Sequence, residues 1–364
     1  MKIALLGDIA LFGTYSVNEN GTILENLDEI SEYLARFDCV VGNLETPFSI
    51  KKKTYGAKSA YICADIENIV ILKKLHLNAV SLANNHMFDF GEEGLQCTLN
   101  TLDKARVRHF GIDGEEYVFE TDGNKILFTG FCCYSSNPLL VAPTYGAHGV
   151  NCYNINTVSK IISAKSKEGY LNIVSVHAGM EHVNYPHIDH IKAARKLADN
   201  SSYVYYGHHP HVIQGVESYK GSVLAYSLGN FCFDDVYTSS SSKPLVSLTE
   251  NNRTGMILEF EIIDNKLIEF KETVIRIESN GCIRVQRQAD KLISKYNNQL
   301  SQALLNPKYS KMRQEDITER IKNRKRQRTL GWYLKRLRPR YFKIMLNARN
   351  NSKKYFLNVC KYKK

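Results

Sequence analysis

The stretch YVYYGHHPHVIQG, residues 203–215, closes a run of aromatic and β-branched residues with three of the chain's eleven histidines inside four positions. Tyr203 to Tyr206 have the composition of a short buried strand, and Gly207 marks its end. A strand holds the first side chains beyond its carboxyl end rigidly, so three imidazoles there read as one rim of a ligand site. In an extended HPH run, His209 and His211 point to opposite faces. A loop bent at Pro210 turns both toward neighbouring ions, which lets one short segment serve two metals.

The same arrangement recurs along the chain. KIALLG (2–7) ends at Asp8; CVVGN (39–43) runs into Asn43 and Glu45; NAVSLA (78–83) is followed by Asn84, Asn85, His86 and Asp89; LNIVSVH (171–177) ends in His177. Segments of helical spacing lie between these strands: 25–37, 64–76, 91–105, 156–168 and 187–200. NKILFTGFC (124–132) reads as a further strand. After residue 220, SVLAYSLG, GMILEFEII and LIEFKETVIRIE follow one another without helices and read as antiparallel strands. Ser239–Ser242 reads as a loop. The expected fold class is α/β, with two packed sheets built partly from βαβ units and helices outside.

Composition narrows the function. With 364 residues, 43% hydrophobic and 23% charged, the chain has ample material for a full core. Nine scattered cysteines without a CxxC pair imply neither a disulfide framework nor a thiolate zinc site, and a reducing compartment fits them. The N-terminal apolar run is too short for a signal peptide, and no window approaches a membrane span. The expected location is therefore the cytoplasm. From Arg320 to Lys364 there are 17 Lys and Arg and no acidic residue, which leaves 31 of the 48 basic residues against all 37 acidic ones in positions 1–319. In that tail Trp332, Tyr333, Tyr341, Phe342 and Phe356 alternate with cations. Such a segment suits an anionic membrane surface, hence the inner membrane face, or a partner protein; as a plain solubilising terminus it needs neither.

Asp, Glu, Asn and His at five strand ends form a metal-ligand inventory. Carboxylate and imidazole together suit Mn, Zn, Fe, Ni or Co, and a carboxylate can bridge two such divalent ions. The loop carrying Lys51, Lys52, Lys53 and Lys58 follows Glu45 and would draw an anionic substrate; lysine runs are also commonly just solvated. Arg253 either forks onto a phosphate or carboxylate oxygen or braces a strand. His187 and His190 read as surface or substrate-facing positions of a helix, and His208 as filling the turn beside the ligands. No Walker motif, dinucleotide fingerprint or GxSxG occurs, which removes nucleotide-driven ligation and serine hydrolysis from the leading options.

GDIALFG, GNLETPFS, LANNHMFDFGEEGL, HAGMEH, GHHPHVIQGVESYKGSVLAYSLGNFCF and the RTG at Arg253 together resemble, in order, the motifs of the bacterial capsule-synthesis protein CapA family, also called the poly-gamma-glutamate capsule family. The resemblance covers roughly residues 1–270 and implies a metallophosphatase-like four-layer αββα sandwich over residues 1–275; beyond it, the sequence itself reads as a helical extension or linker over 276–319 and a basic, mostly helical tail over 320–364. It implies that Asp8, Glu45 and His211 hold one metal, and that Glu45, Asn85, His177 and His209 hold the other. His86 would assist the leaving group with Asp89 orienting it, and Asn43, Lys53, Glu181, His182, Asn230 and Arg253 would line the substrate site. Two positions depart from the metallophosphatase pattern: Ala10 stands where DxH needs His, and the bridging residue is Glu45 in place of Asp. The implied activity is metal-dependent hydrolysis of the phosphoesterase type in capsule or cell-envelope polymer synthesis. The alternative is a non-catalytic accessory or scaffold of a capsule-synthesis complex whose tail contacts a membrane or the capsule machinery. Nucleic acid is not an expected partner.

Overall fold

A computed structural model describes residues 1–50, 60–133, 149–238, 241–286 and 290–326, with four isolated positions beyond. In chain order the strands are β1 (Lys2–Ile9), β2 (Cys39–Leu44), β3 (Ala79–Ser81), β4 (Arg108–Phe110), β5 (Tyr117–Thr121), β6 (Asn124–Cys132), β7 (Leu171–His177), β8 (Val204–His208), β9 (Val216–Tyr219), β10 (Ser222–Ala225), β11 (Asn230–Cys232), β12 (Val236–Thr238), β13 (Ser241–Val246), β14 (Thr254–Ile263), β15 (Lys266–Ile277) and β16 (Ile283–Val285). The α-helices are α1 (Ile23–Asn26), α2 (Asp28–Leu34), α3 (Ile69–Lys74), α4 (Gly91–Ala105), α5 (Ile155–Lys167), α6 (Ile188–Ala198), α7 (Asp290–Ser301) and α8 (Pro307–Arg326).

The strands form two large sheets. One has the order β16-β15-β14-β1-β2-β3-β4, with β11 also paired to β1; the other runs β5-β6-β7-β8-β10-β9. Residues alternate along β1 in the way a doubly covered strand requires: Ile3 and Leu5 join the core that contains the second sheet, and Ala4 and Leu6 join the core under α1–α4. Val158, Ile162, Ile191, Ala194 and Leu197 of α5 and α6 cover the second sheet. The result is the four-layer αββα sandwich that the sequence led us to expect.

Polar bonds cross between the sheets and fix how their edges meet. Ser175 Oγ donates to Ser81 Oγ at 3.1 Å, and the Tyr206 hydroxyl reaches the carbonyls of Leu6 and Val41. Gly207 does not end its strand, since β8 continues to His208; glycine is needed at 207 because a side chain there would place its Cβ 2.0 Å from the Tyr226 carbonyl oxygen. Gly7 serves the same close approach, with Gly229 O at 2.1 Å, so that Asp8 N can donate to that carbonyl at 2.9 Å.

Several readings of the sequence change. The segment 25–37 breaks at Leu27 into α1 and α2. Strand β10 pairs in parallel with β8 and antiparallel only with β9, so it is not simply part of an antiparallel run. Ser241 and Ser242 belong to β13 and not to a loop. Strand β15 runs to Ile277, and β16 at 283–285 joins the same sheet. The tail beyond Arg326 lies outside the described residues apart from those isolated positions. Among the described residues no helix is long and apolar enough to cross a membrane.

Candidate metal centre

The parallel strands β1, β2 and β3 of one sheet and β7 and β8 of the other end at the same edge of the sandwich. Asp8, near the end of β1, has no exposed surface. Its Oδ1 accepts from Asn43 Nδ2 at 2.9 Å and lies 3.1 Å from His208 Nδ1; its Oδ2 lies 3.3 Å from His211 Nδ1 and accepts from His209 N at 3.3 Å. Asp8, Glu45 and His211 each offer one ligand atom, and these atoms all lie within 4.8 Å of one another.

A second group adjoins the first. Glu45 follows β2 directly and is fixed by its backbone N–H on Ile9 O at 2.8 Å. Its Oε1 lies 3.8 Å from His177 Nε2 and its Oε2 3.9 Å from His211 Nε2. His177 Nε2 is 2.7 Å from Asn85 Oδ1 and 3.1 Å from His209 Nδ1. The buried Glu45 carboxylate therefore stands between two sets of nitrogen and oxygen donors.

The loop after β8 achieves this by an unusual backbone. His209 and His211 have φ of 96° and 56°, in the left-handed region that costs an ordinary residue roughly 1–2 kcal/mol. With Pro210 between them, the two rings lie 6.1 Å apart on one side of the loop. The first histidine of the triplet turns back: His208 packs edge-on against Tyr206 at 4.1 Å and meets Asp8.

Asn84 shapes the neighbouring loop. Its Nδ2 donates to Leu44 O at 2.7 Å, and its Oδ1 accepts from His86 N and Met87 N at 3.0 and 3.1 Å, which turns Asn85 and His86 toward the site. His86 Nδ1 lies 2.7 Å from Asp89 Oδ2, an oxygen that also accepts from Ile62 N at 3.1 Å. The His86 side chain is 12% exposed, so it is reachable from outside, while Asp89 is buried.

The electrostatics favour a cation. Burial lowers His177 well below its ordinary value and takes His209 down to about 3, which keeps both rings neutral, the form that ligates metals. Burial works against the charge of Asp8, but its hydrogen bonds to His208 and His211 outweigh this and hold its carboxyl low. Burial also opposes a charge on His211, yet Glu45 and Asp8 prevail and raise it to about 10. Two buried carboxylates thus draw positive charge to the centre, and the surrounding O and N donors suit a first-row divalent ion. Ala10 lies in an apolar cluster with Ile62, Phe233 and Val236, so a ligating side chain has no counterpart there.

The remaining sequence-selected residues separate. Asn43 and Asn230 are fully buried and bond Asp8 and His211, respectively; Asn43 Nδ2 also lies 3.4 Å from His177 Nδ1. His182 N donates to Pro210 O at 2.7 Å, and its ring centroid is 6.2 Å from that of His211. Glu181 is joined to Arg320 of α8 at 2.6 Å. Arg253 lies 4.0 Å from Asp235. Lys53, with Lys51, Lys52 and Lys58, lies outside the described residues. Its neighbour in the motif proves more central than Arg253: Asn252 reaches both His182 and the His211 carbonyl.

The bacterial capsule synthesis protein family PGA_cap matches residues 2–235, and the chain belongs to that family. Capsule biosynthesis protein CapA of Bacillus anthracis is 28% identical over 309 residues, covering 81% of this chain and 74% of the relative. PGA biosynthesis protein CapA of Bacillus subtilis (strain 168) is 29% identical over 268 residues, covering 70% of this chain and 69% of the relative. Among solved structures, the calcineurin-like phosphoesterase YfkN from Bacillus subtilis superposes with a TM-score of 0.42 at 15% identity, over 83% of this chain and 96% of that one. A putative 5'-nucleotidase from Staphylococcus aureus in complex with alpha-ketoglutarate gives 0.48 at 10% identity, over 83% and 58%.

Proposed function

We propose that the chain is a metal-dependent hydrolase of the phosphoesterase type that acts on an anionic substrate in capsule or cell-envelope polymer metabolism, poly-gamma-glutamate included. The observation that carries this reading is the buried Glu45 carboxylate, with His211 Nε2 3.9 Å from one oxygen and His177 Nε2 3.8 Å from the other. Asp8, Glu45 and His211 would hold one divalent ion, and Glu45, Asn85, His177 and His209 a second. Manganese, zinc, iron or a similar metal, when bound, supplies Lewis acidity toward a phosphoryl oxygen and lowers the pKa of water.

The chain's own groups do the rest. His86 gives a proton to the leaving oxygen from Nε2, because Asp89 occupies the Nδ1 side and holds the ring in place. Asn43, bonded to Asp8, keeps that carboxylate turned toward the centre. Lys53 and its neighbours attract the anion, and the basic segment from Arg320 onward supplies the contact with a membrane surface or a capsule-machinery protein.

Metal analysis of the purified full chain, followed by a panel of aryl phosphate mono- and diesters, tests the reading. Bound divalent metal with turnover of at least one ester supports it. Metal without turnover across a broad ester panel favours the accessory or scaffold role, and absence of metal after loading with manganese or zinc removes the hydrolase altogether.

A further inference from the structure

Asn252 is 1% exposed and stands one residue before Arg253. Its Oδ1 accepts from Thr249 N at 3.2 Å and from Thr249 Oγ1 at 2.7 Å. A backbone N–H can only donate, so this end of the amide is the oxygen, and the other end is the NH2 group. That nitrogen donates to the His211 carbonyl at 2.9 Å and meets His182 Nδ1 at 2.8 Å. His182 Nδ1 is then an acceptor, and the ring carries its proton on Nε2.

The same residue governs His211 through its backbone. Asn230 Nδ2 donates to Asn252 O at 3.0 Å, which turns Asn230 Oδ1 toward His211 Nδ1 at 2.9 Å. Facing that acceptor, His211 keeps its proton on Nδ1 and presents Nε2 on the side of Glu45. His182 and His211 both have left-handed backbones, with φ of 58° and 56°, and Asn252 ties these two turns together.

We propose that Asn252 is a positioning residue that holds His182 as a neutral Nε2–H donor for a substrate oxyanion, while keeping His211 in the tautomer that ligates. The proposal rests on the metal-centre reading above for its substrate, a phosphate- or carboxylate-bearing molecule. It does not rest on it for the tautomer. His182 is suited to the role because it is half-buried beside the ligand cluster and tied to it by its backbone bond to Pro210. A neutral donor gives direction to an anion's oxygen without adding charge to a centre already built to hold cations.

Long-range proton–nitrogen spectra of the full-length protein, with and without zinc, test the tautomer, and titration of the zinc-loaded protein with inorganic phosphate tests the role. The expected spectrum shows His182 protonated on Nε2 in both states. Asn252→Asp replaces the donor by an acceptor, so His182 moves its proton to Nδ1, and phosphate affinity measured at saturating zinc falls about tenfold. His182→Gln keeps an N–H near the Nε2 position and stays within about threefold of wild type for phosphate, whereas His182→Ala loses about tenfold. An Nδ1–H tautomer in the wild type, or phosphate binding by His182→Ala equal to wild type, overturns the proposal. A wild-type protein that takes up no zinc overturns the metal-centre reading instead, and the metal-free spectrum still decides the tautomer.

Discussion

Asn85 Oδ1 lies 2.7 Å from His177 Nε2, although 92 positions separate the two residues and they are presented by different sheets. Strand pairing within one sheet places Asp8 beside the end of β2, and the face-to-face packing of the sandwich brings the histidines of the other sheet to them.

Removing either member of that pair should cost metal and leave the fold. Asn85→Ala and His177→Ala are each expected to weaken divalent-metal affinity at least about 100-fold, measured by competition with a chromophoric chelator, with the circular dichroism spectrum unchanged. His177 is the more severe of the two, since it closes β7 and is fully buried. Unaltered affinity in both variants would separate this edge of the sandwich from metal binding.

His86 and Asp89 should affect rate without affecting metal. His86→Ala is expected to lower kcat on an aryl phosphate by about 100- to 10,000-fold, the range of a lost proton donor. Asp89→Asn should fall less far, because an amide oxygen can still accept from Ile62 N. Loss of metal in His86→Ala would place the ring among the ligands and not at the leaving group.

Metal affinity should rise with pH. His211, raised to about 10 by Glu45 and Asp8 against the opposing effect of burial, must give up a proton to ligate. This one proton makes the apparent affinity increase about tenfold for each pH unit below that value. Calorimetry of zinc binding at pH 7 in buffers of different ionisation enthalpy reads the proton directly; a binding heat independent of buffer would contradict the expectation.

His190 contributes a separate pH dependence to stability. Burial, together with the neighbouring His187 and against Asp189, lowers it to about 4 in the folded protein from 6.5. A histidine depressed in this way favours the folded state fully above pH 6.5, and that contribution is lost as the pH falls toward 4, because the unfolded chain takes up the proton first. At pH 5 the loss reaches no more than ~2 kcal/mol for this half-buried ring. Urea unfolding at pH 7 and pH 5 should accordingly show a smaller difference for His190→Gln than for the wild type.

Much of the layout was legible because it is local. The segments 91–105, 124–132 and 171–177 form elements with those same bounds, since a repeat of apolar residues at helical spacing or a continuous apolar run suffices to mark them. The strand-end residues could be picked out by type alone. What escaped is long-range. Strands β9, β11, β12 and β16 are three or four residues each, too short to carry a period, and exist through their partners. Asn252 is one more asparagine in a polar loop until the fold brings it to His211, 41 residues earlier, and to His182, 70 residues earlier. For the adjoining Arg253 the sequence left two uses open, an anion and a bracing ion pair, and its guanidinium lies 4.0 Å from Asp235. The turn at His209 to His211 depended on two left-handed backbones that no residue type there announces.

The central claim is that Glu45 joins two sets of ligands around divalent ions. Crystals of the full chain soaked in manganese and measured for anomalous scattering test it most directly. The account predicts a peak bounded by Asp8, Glu45 and His211, with a second bounded by Glu45, Asn85, His177 and His209. Manganese-soaked crystals with no anomalous density beside Glu45 would contradict it.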